Sequence, residues 1–256
     1  MSAIFISGGA SGIGRATAIY FESRGWSVGV YDNDEEALAQ LKSDFPTIVV
    51  GVLDVRDYHQ WETALADFCE PHGGSLDVLD NNAGVVSAGE LEDISADDIK
   101  RQIDIDALGL TYGAKAALPY LKVARRSHLV NVSSASAIYG QPGLATYSAA
   151  KAFVSAMTEA LDLEWEKHGI RVVSIWPLWT ETQMVNESVK STQTLGVHLT
   201  PDQVAEKIWL STNPTLVGRM SRRIHYSVGI QTILMANASR CVPRFVVRFV
   251  NKVLSQ

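Results

Sequence analysis

Residues 3–14 read Ala-Ile-Phe-Ile-Ser-Gly-Gly-Ala-Ser-Gly-Ile-Gly. Ala3–Ser7 is a short apolar run with the character of a buried strand. Gly8, Gly12 and Gly14 follow in the spacing Gly-x-x-x-Gly-x-Gly, and Ala16, Ile19 and Tyr20 then recur on one side of a helical pattern that runs to Arg24-Gly25. A strand feeding a glycine-rich turn at a helix N-terminus suits a phosphate. Glycines let the backbone approach, and the free amides and helix dipole favour an anion. The spacing is not the Gly-x-Gly-x-x-Gly of the commoner dinucleotide fingerprint, and glycine-rich loops also close tight turns. Its place as the first turn of the first strand–helix unit favours the dinucleotide reading.

The chain repeats that unit. Ser27–Tyr31 is a second strand ending at Asp32, 18 residues after Gly14, near the offset expected of a carboxylate that meets the adenosine ribose hydroxyls. Asp34, Glu35 and Glu36 suit the first turn of a helix, and with Asp32 they repel a 2′-phosphate, which argues for NAD over NADP; Arg15 is the cation placed to help a phosphate. Ile48–Leu53 is a third strand, with Asp54-Val55 at its end positioned for an adenine edge. His59 to about His72 is a helix stopped by Gly73-Gly74. Val78–Leu79 begins a short strand running into Asn81-Asn82-Ala83-Gly84, and Ser95 caps a long helical pattern from Asp97 to Leu121. His128–Val132, a helix from Tyr147 to His168, the strand Arg171–Trp176 and a last strand within Arg222–Val228 complete the series. This alternation predicts an α/β fold: a Rossmann-type, doubly wound parallel sheet with right-handed crossovers. It forms a single domain over residues 1–228, followed by a helical extension, 229–256, packed on that domain or on an oligomer partner.

Ligands in such sheets lie outside the C-terminal strand ends. One stretch there carries chemistry. Tyr147 and Lys151 share a helix face one turn apart. An ammonium that close favours the phenolate and lowers a phenol pKa that starts near ~10. Ser134, just past a strand end, adds a hydroxyl. The three together suit proton transfer at an alcohol oxygen, although a Tyr-x-x-x-Lys pair alone equally fits a buried Tyr with a snorkelling Lys.

Composition narrows the class. A hydrophobic fraction of 46% and a charged fraction of 20% are those of an ordinary globular protein. Cys69 and Cys241 offer neither metal-ligand spacing nor a disulfide framework, so no metal is expected. With no signal-peptide pattern and no run of 18 apolar residues, the expected location is cytoplasmic. The net charge of −6 is uneven: residues 207–256 hold eight Lys or Arg and no acidic residue, leaving −14 on residues 1–206. The basic tail lacks a nucleic-acid module, so no nucleic acid is expected as a partner.

On these motifs, in order over roughly residues 3–182, the sequence resembles the short-chain dehydrogenase/reductase family. Ser7 to Gly14 matches the family's Thr-Gly-x-x-x-Gly-x-Gly, with Ser7 in the Thr place. Asn81-Asn82-Ala83-Gly84 matches its Asn-Asn-Ala-Gly, and Asn131-Val132-Ser133-Ser134 matches its serine strand. The interval of 13 from Ser134 to Tyr147 is the usual one, and Tyr147-Ser-Ala-Ala-Lys151 matches its signature. The resemblance implies that Tyr147 is the general acid in reduction and base in oxidation. Lys151 would bind the nicotinamide ribose and keep the phenolate accessible, and Ser134 would hold the substrate oxygen. It implies NAD as cofactor, bound by Ser7, Gly8, Ser11, Gly12, Ile13, Gly14, Asp32, Asp54, Val55, Asn82, Ala83, Gly84, Pro177, Thr180 and Thr182 together with Tyr147 and Lys151, with Thr182 on the carboxamide. It also implies a homo-oligomer, dimer or tetramer.

Two positions depart from the family pattern. Asp106 stands where an Asn usually orders a water for proton relay; as a near-isostere it is expected to act as the relay acceptor, the alternative being a tolerated substitution. Leu178 replaces the Gly after Pro177, and Trp176, Leu178 and Trp179 are candidates for an apolar pocket wall. Residues 181–199 are irregular and polar, with Met184, Val185 and Leu195 scattered through them, and are expected to close over the substrate. Thr200-Pro201 starts a helix.

In Pro243–Leu254, Phe245, Val246, Phe249, Val250 and Val253 form an apolar stripe beside Arg244, Arg248 and Lys252. Packing or oligomer contact is the favoured reading of this helix, peripheral membrane contact the second. The expected function is an NAD(H)-dependent oxidoreductase acting on a small-molecule substrate, a hydrophobic secondary alcohol or ketone, steroid-like or lipid-derived. The alternatives are an NADPH-dependent carbonyl reductase and a catalytically silent dinucleotide-binding sensor or scaffold.

Overall fold

A computed structural model of the chain describes residues 1–182, 184, 196–214 and 221–254. Most of the expected substrate loop, including Val185 and Leu195, lies outside the described residues. Strands β1 (Ala3–Ser7), β2 (Ser27–Asp32), β3 (Val49–Val52), β4 (Val78–Asn81), β5 (Ser127–Val132), β6 (Ile170–Trp176) and β7 (His225–Ser227) pair in parallel, in the order β3-β2-β1-β4-β5-β6-β7. The order reverses between β1 and β4, and the crevice at that switch point is where a ligand of such a sheet sits.

The strands read as continuous apolar runs because both faces are covered. On β1, Ala3 and Phe5 join one core and Ile4 and Ile6 the other. The first core takes Trp61, Leu65 and Phe68 of α3 (Tyr58–Cys69), Ala114, Ala117 and Leu121 of α5 (Leu110–Val123) and Trp165 of α6 (Ala145–Trp165). Phe5 stacks on Tyr31 at 4.2 Å between centroids. The second core takes Ala18 and Phe21 of α1 (Gly12–Glu22), Leu38 and Leu41 of α2 (Glu35–Asp44), and Val204 and Ile208 of α7 (Pro201–Thr212). A capping box between Thr200 and Gln203 starts α7, with Pro201 in the first turn.

The long helix expected from Asp97 to Leu121 is interrupted. Its first part, α4 (Ala96–Ile103), is capped by Ser95, as the sequence indicates. It then passes through a π-helical stretch, Asp104–Gly109, before α5 begins. Such bulges gather at functional sites, and this one carries Asp106. After β7 come α8 (Ile230–Cys241), which the sequence pattern does not resolve from its surroundings, and α9 (Arg244–Leu254).

Candidate active site

The first wall of the site is the glycine turn. Gly8 and Gly12 have φ of +64° and +51°, conformations that glycine tolerates best. Gly14 is required by closeness instead. A Cβ there would lie 2.4 Å from the Gly8 carbonyl and 2.5 Å from Asn82 Nδ2. Asn82 braces the turn, donating from Nδ2 to the carbonyls of Ser7 at 3.1 Å and Gly8 at 2.7 Å. In return the Ser7 hydroxyl accepts from the amides of Asn82 and Ala83, both at 3.3 Å. Asp32 closes the strand end, accepting from Ala10 N at 3.0 Å and Asp34 N at 3.2 Å. Asp54 is gripped by Arg56, whose guanidinium lies 2.6 Å away and holds the carboxyl below its usual range.

The second wall comes from β5 and α6. A buried chain fixes them in register: Asn81 donates to Leu110 O at 2.9 Å and Asn131 Oδ1 at 3.1 Å, and Asn131 donates to Thr158 at 3.0 Å. Ser133 and Ser155 donate to the Lys151 carbonyl at 2.9 and 3.1 Å. Lys151, buried, points its Nζ over the Tyr147 ring, 5.5 Å from the centroid, and donates to Val132 O at 3.2 Å. Ser134 stands on the same wall as Tyr147 and favours its ionised form. Lys151 does favour the Tyr147 phenolate, as expected, but the net shift of the phenol pKa is upward rather than downward. Burial raises it, and the nearby Asp106 adds to the rise, while Lys151 and Ser134 pull down without prevailing.

A cavity of about 750 Å³ lies between the walls. Gly8, Ser11, Gly12, Ile13, Asp32, Asp54, Val55, Asn82, Ala83, Gly84, Ser134, Tyr147, Lys151, Pro177, Thr180 and Thr182 all line it. Ser7 and Gly14 do not; they brace the turn from behind. Thr182 reaches across to Gly12, whose Cβ would meet its Cγ2 at 3.2 Å. Asp106 also lies off the surface, fully buried behind Gly84. A Cβ on Gly84 would stand 3.1 Å from Asp106 Oδ1 and 3.2 Å from Lys151 Nζ. Asp106 Oδ1 accepts from Val85 N at 2.8 Å, and its Oδ2 has no partner among the described residues. Burial pushes its pKa up against Lys151, Val85 and Gln102.

Of the three candidates for an apolar wall, Leu178 and Trp179 line the cavity and Trp176 does not. The Trp176 side chain leaves the sheet on the α6 side, stacks on His225 at 4.4 Å and donates to Ser155 at 3.1 Å. Sequence reasoning did not single out Gln102, which donates to Val85 O at 3.3 Å and accepts from Thr146 at 2.9 Å. It ties the end of α4 to the start of α6 and to the segment after Gly84. Its signal in the sequence is its position one helical turn before Asp106.

A dinucleotide fits this site. A Cβ at Gly12 would crowd the space between the turn and Thr182, both in the lining, and one cavity is lined by the glycine turn and Asp32 as well as by Tyr147.

Comparison with known proteins agrees. Residues 2–193 match the family model described as short chain dehydrogenase. Trans-4-hydroxycyclohexanecarboxylate dehydrogenase of Sinomonas cyclohexanicum is 36% identical over 189 residues, 70% of this chain and 72% of that one. A 2,5-dichloro-2,5-cyclohexadiene-1,4-diol dehydrogenase of Sphingobium indicum is 34% identical over 176 residues, 67% and 70% of the two chains. The crystal structure of a short-chain dehydrogenase from Streptomyces avermitilis superposes with a TM-score of 0.83 at 24% identity, covering 99% of this chain and 97% of that one. The glycine turn, the Ser134–Tyr147–Lys151 wall and the match across three quarters of the sequence lead to one family: the chain belongs to the short-chain dehydrogenases, and is an oxidoreductase of that class.

Proposed function

We propose that the chain is an NAD(H)-dependent oxidoreductase that interconverts a hydrophobic secondary alcohol and its ketone. The observation that carries this reading is the arrangement of Ser134, Tyr147 and Lys151 on one wall of a cavity whose far end is the glycine turn and Asp32. A bound nicotinamide supplies or accepts the hydride; the chain's residues handle the proton. Tyr147, protonated near neutrality because it is buried, gives its proton to a carbonyl oxygen in reduction and takes one from the alcohol in oxidation. Ser134 holds that oxygen, and the Lys151 ammonium stabilises the phenolate. Asp106, behind Gly84, is the acceptor through which Lys151 exchanges its proton.

NAD is favoured over NADP by Asp32 at the end of β2, and the Arg15 guanidinium pairs with Asp44 at 2.9 Å. An apolar substrate is supported by Val86, Leu144, Leu178, Trp179 and Met184 in the lining. A ring-borne secondary alcohol is supported by two relatives named for alcohols on six-membered carbon rings. The test is turnover of cyclic secondary alcohols with NAD and with NADP. At least tenfold higher kcat/KM with NAD is expected, and a preference for NADP would reverse the cofactor assignment.

A further inference from the structure

We infer that α9 is a docking surface for an anionic phospholipid bilayer, set beside the active-site loop. Phe245, Arg248, Phe249 and Lys252 stand at i, i+3, i+4 and i+7, so they share one helix face. That face turns outward: Phe245 is 73% exposed and Phe249 67%. Neither Arg248 nor Lys252 takes part in an ion pair among the described residues. The preceding helix adds exposed apolar side chains. Ile230 and Leu234 of α8, also one turn apart, are 77% and 64% exposed. Exposed aromatics flanked by cations suit the headgroup boundary, where rings enter the acyl region and Lys or Arg meet lipid phosphates. No described helix is long and apolar enough to cross a membrane, so the contact is peripheral.

Charge selects the bilayer over a second copy of the same helix. Residues 207–256 carry no acidic side chain. A two-fold contact of α9 with itself would set Arg248 and Lys252 against like charges, whereas an anionic bilayer neutralises them.

The location ties docking to the site. Asn251 donates to Gly140 O at 2.6 Å, and the next residue, Gln141, lines the cavity. Helix α8 packs on the 3₁₀ turn Ala135–Ala137 that follows Ser134. Docking through α9 therefore brings the Ser134–Tyr147 loop to the lipid surface. The docking itself does not depend on the proposed reaction.

The test is flotation of the purified full chain with vesicles of phosphatidylcholine, alone or mixed with phosphatidylserine. The wild-type chain should float with the mixed vesicles and far less with phosphatidylcholine alone, and added salt should release it. Arg248→Gln with Lys252→Gln should lower partitioning by roughly fivefold per cation, and Phe245→Ser with Phe249→Ser should lower it at least as much. Unchanged melting curves would confirm that these exposed positions do not unfold the chain. A wild-type chain that does not float, or that floats equally after either double substitution, overturns the proposal. So does sedimentation in which the Phe variant splits a larger species, because the face would then join copies of the chain.

Discussion

At Tyr147 burial competes with the charge of Lys151, and burial wins. The phenol is therefore an acid at neutral pH. Carbonyl reduction should be flat around neutrality and fall in alkaline solution, while alcohol oxidation should climb as the phenol begins to ionise. Asp106 as an anion raises the phenol further. Asp106→Asn should accordingly move the alkaline limb of the pH–rate profile to lower pH and change the rate; a variant with wild-type rate and profile would remove Asp106 from the proton path. Asp80 is the residue the sequence reading passed over. It sits on β4 opposite Ile6 and Val130, where the strand pattern asks for an apolar side chain. It is fully buried, and neither carboxyl oxygen has a partner among the described residues. Burial pushes its pKa up from 3.8 to about 8. The folded chain thus holds a proton that the unfolded chain loses above about pH 4. Stability from this group is complete below that pH and is lost as pH rises through about 8, by about 1.4 kcal/mol per pH unit across the window. Asp80→Asn should gain on the wild type in denaturant midpoint as pH is raised from about 5 to about 8; a pH-independent difference would contradict the assignment. Ser134, Tyr147 and Lys151 were legible because chemistry fixes their types and spacing. Asp80 was not, because one acid in an apolar strand leaves no periodic signal.

The element that positions the cofactor end is the turn between β1 and α1. It was legible because glycines are demanded by backbone geometry that no other residue relieves. Gly14→Ala places a methyl 2.4 Å from the Gly8 carbonyl and 2.7 Å from Gly9 Cα, backbone that cannot give way, and 2.5 Å from the Asn82 amide that braces the turn. The expected result is a loss of about 1–3 kcal/mol of stability, as for overpacked cores, with dinucleotide affinity down at least tenfold, read by thermal melting and cofactor titration. Near-wild-type values for both would show that the turn accepts a side chain at this position. The π stretch Asp104–Gly109 was not legible. Its apolar spacing runs on from α4 into α5, and the break arises from tertiary contacts, with Gly109 against Val55 and Asp106 against the Val85 amide. The same holds for Trp176, whose side of β6 is set by strand register, which the sequence around it does not declare.

At the scale of the molecule, the alternation of strand and helix carried the fold, since six strand–helix units leave few topologies once crossovers are right-handed. The sheet order then brings the glycine turn, Asp32 and the Tyr147 wall to one cavity, although they are far apart in the chain. The uneven charge was visible in composition, but its meaning was not. Only the exposure of Phe245 and Phe249 beside Arg248 and Lys252 turns a basic tail into a candidate surface. The most direct test of the chemistry of the cavity is reduction of NAD by cyclic secondary alcohols, followed by the absorbance of the reduced nicotinamide, in the wild type and in Tyr147→Phe. The predicted result is turnover with NAD that falls by about a hundredfold or more in Tyr147→Phe, the scale of a lost general acid–base group, while dinucleotide binding persists. Turnover that survives the substitution intact, or a chain that binds NAD yet oxidises none of the alcohols, would contradict it.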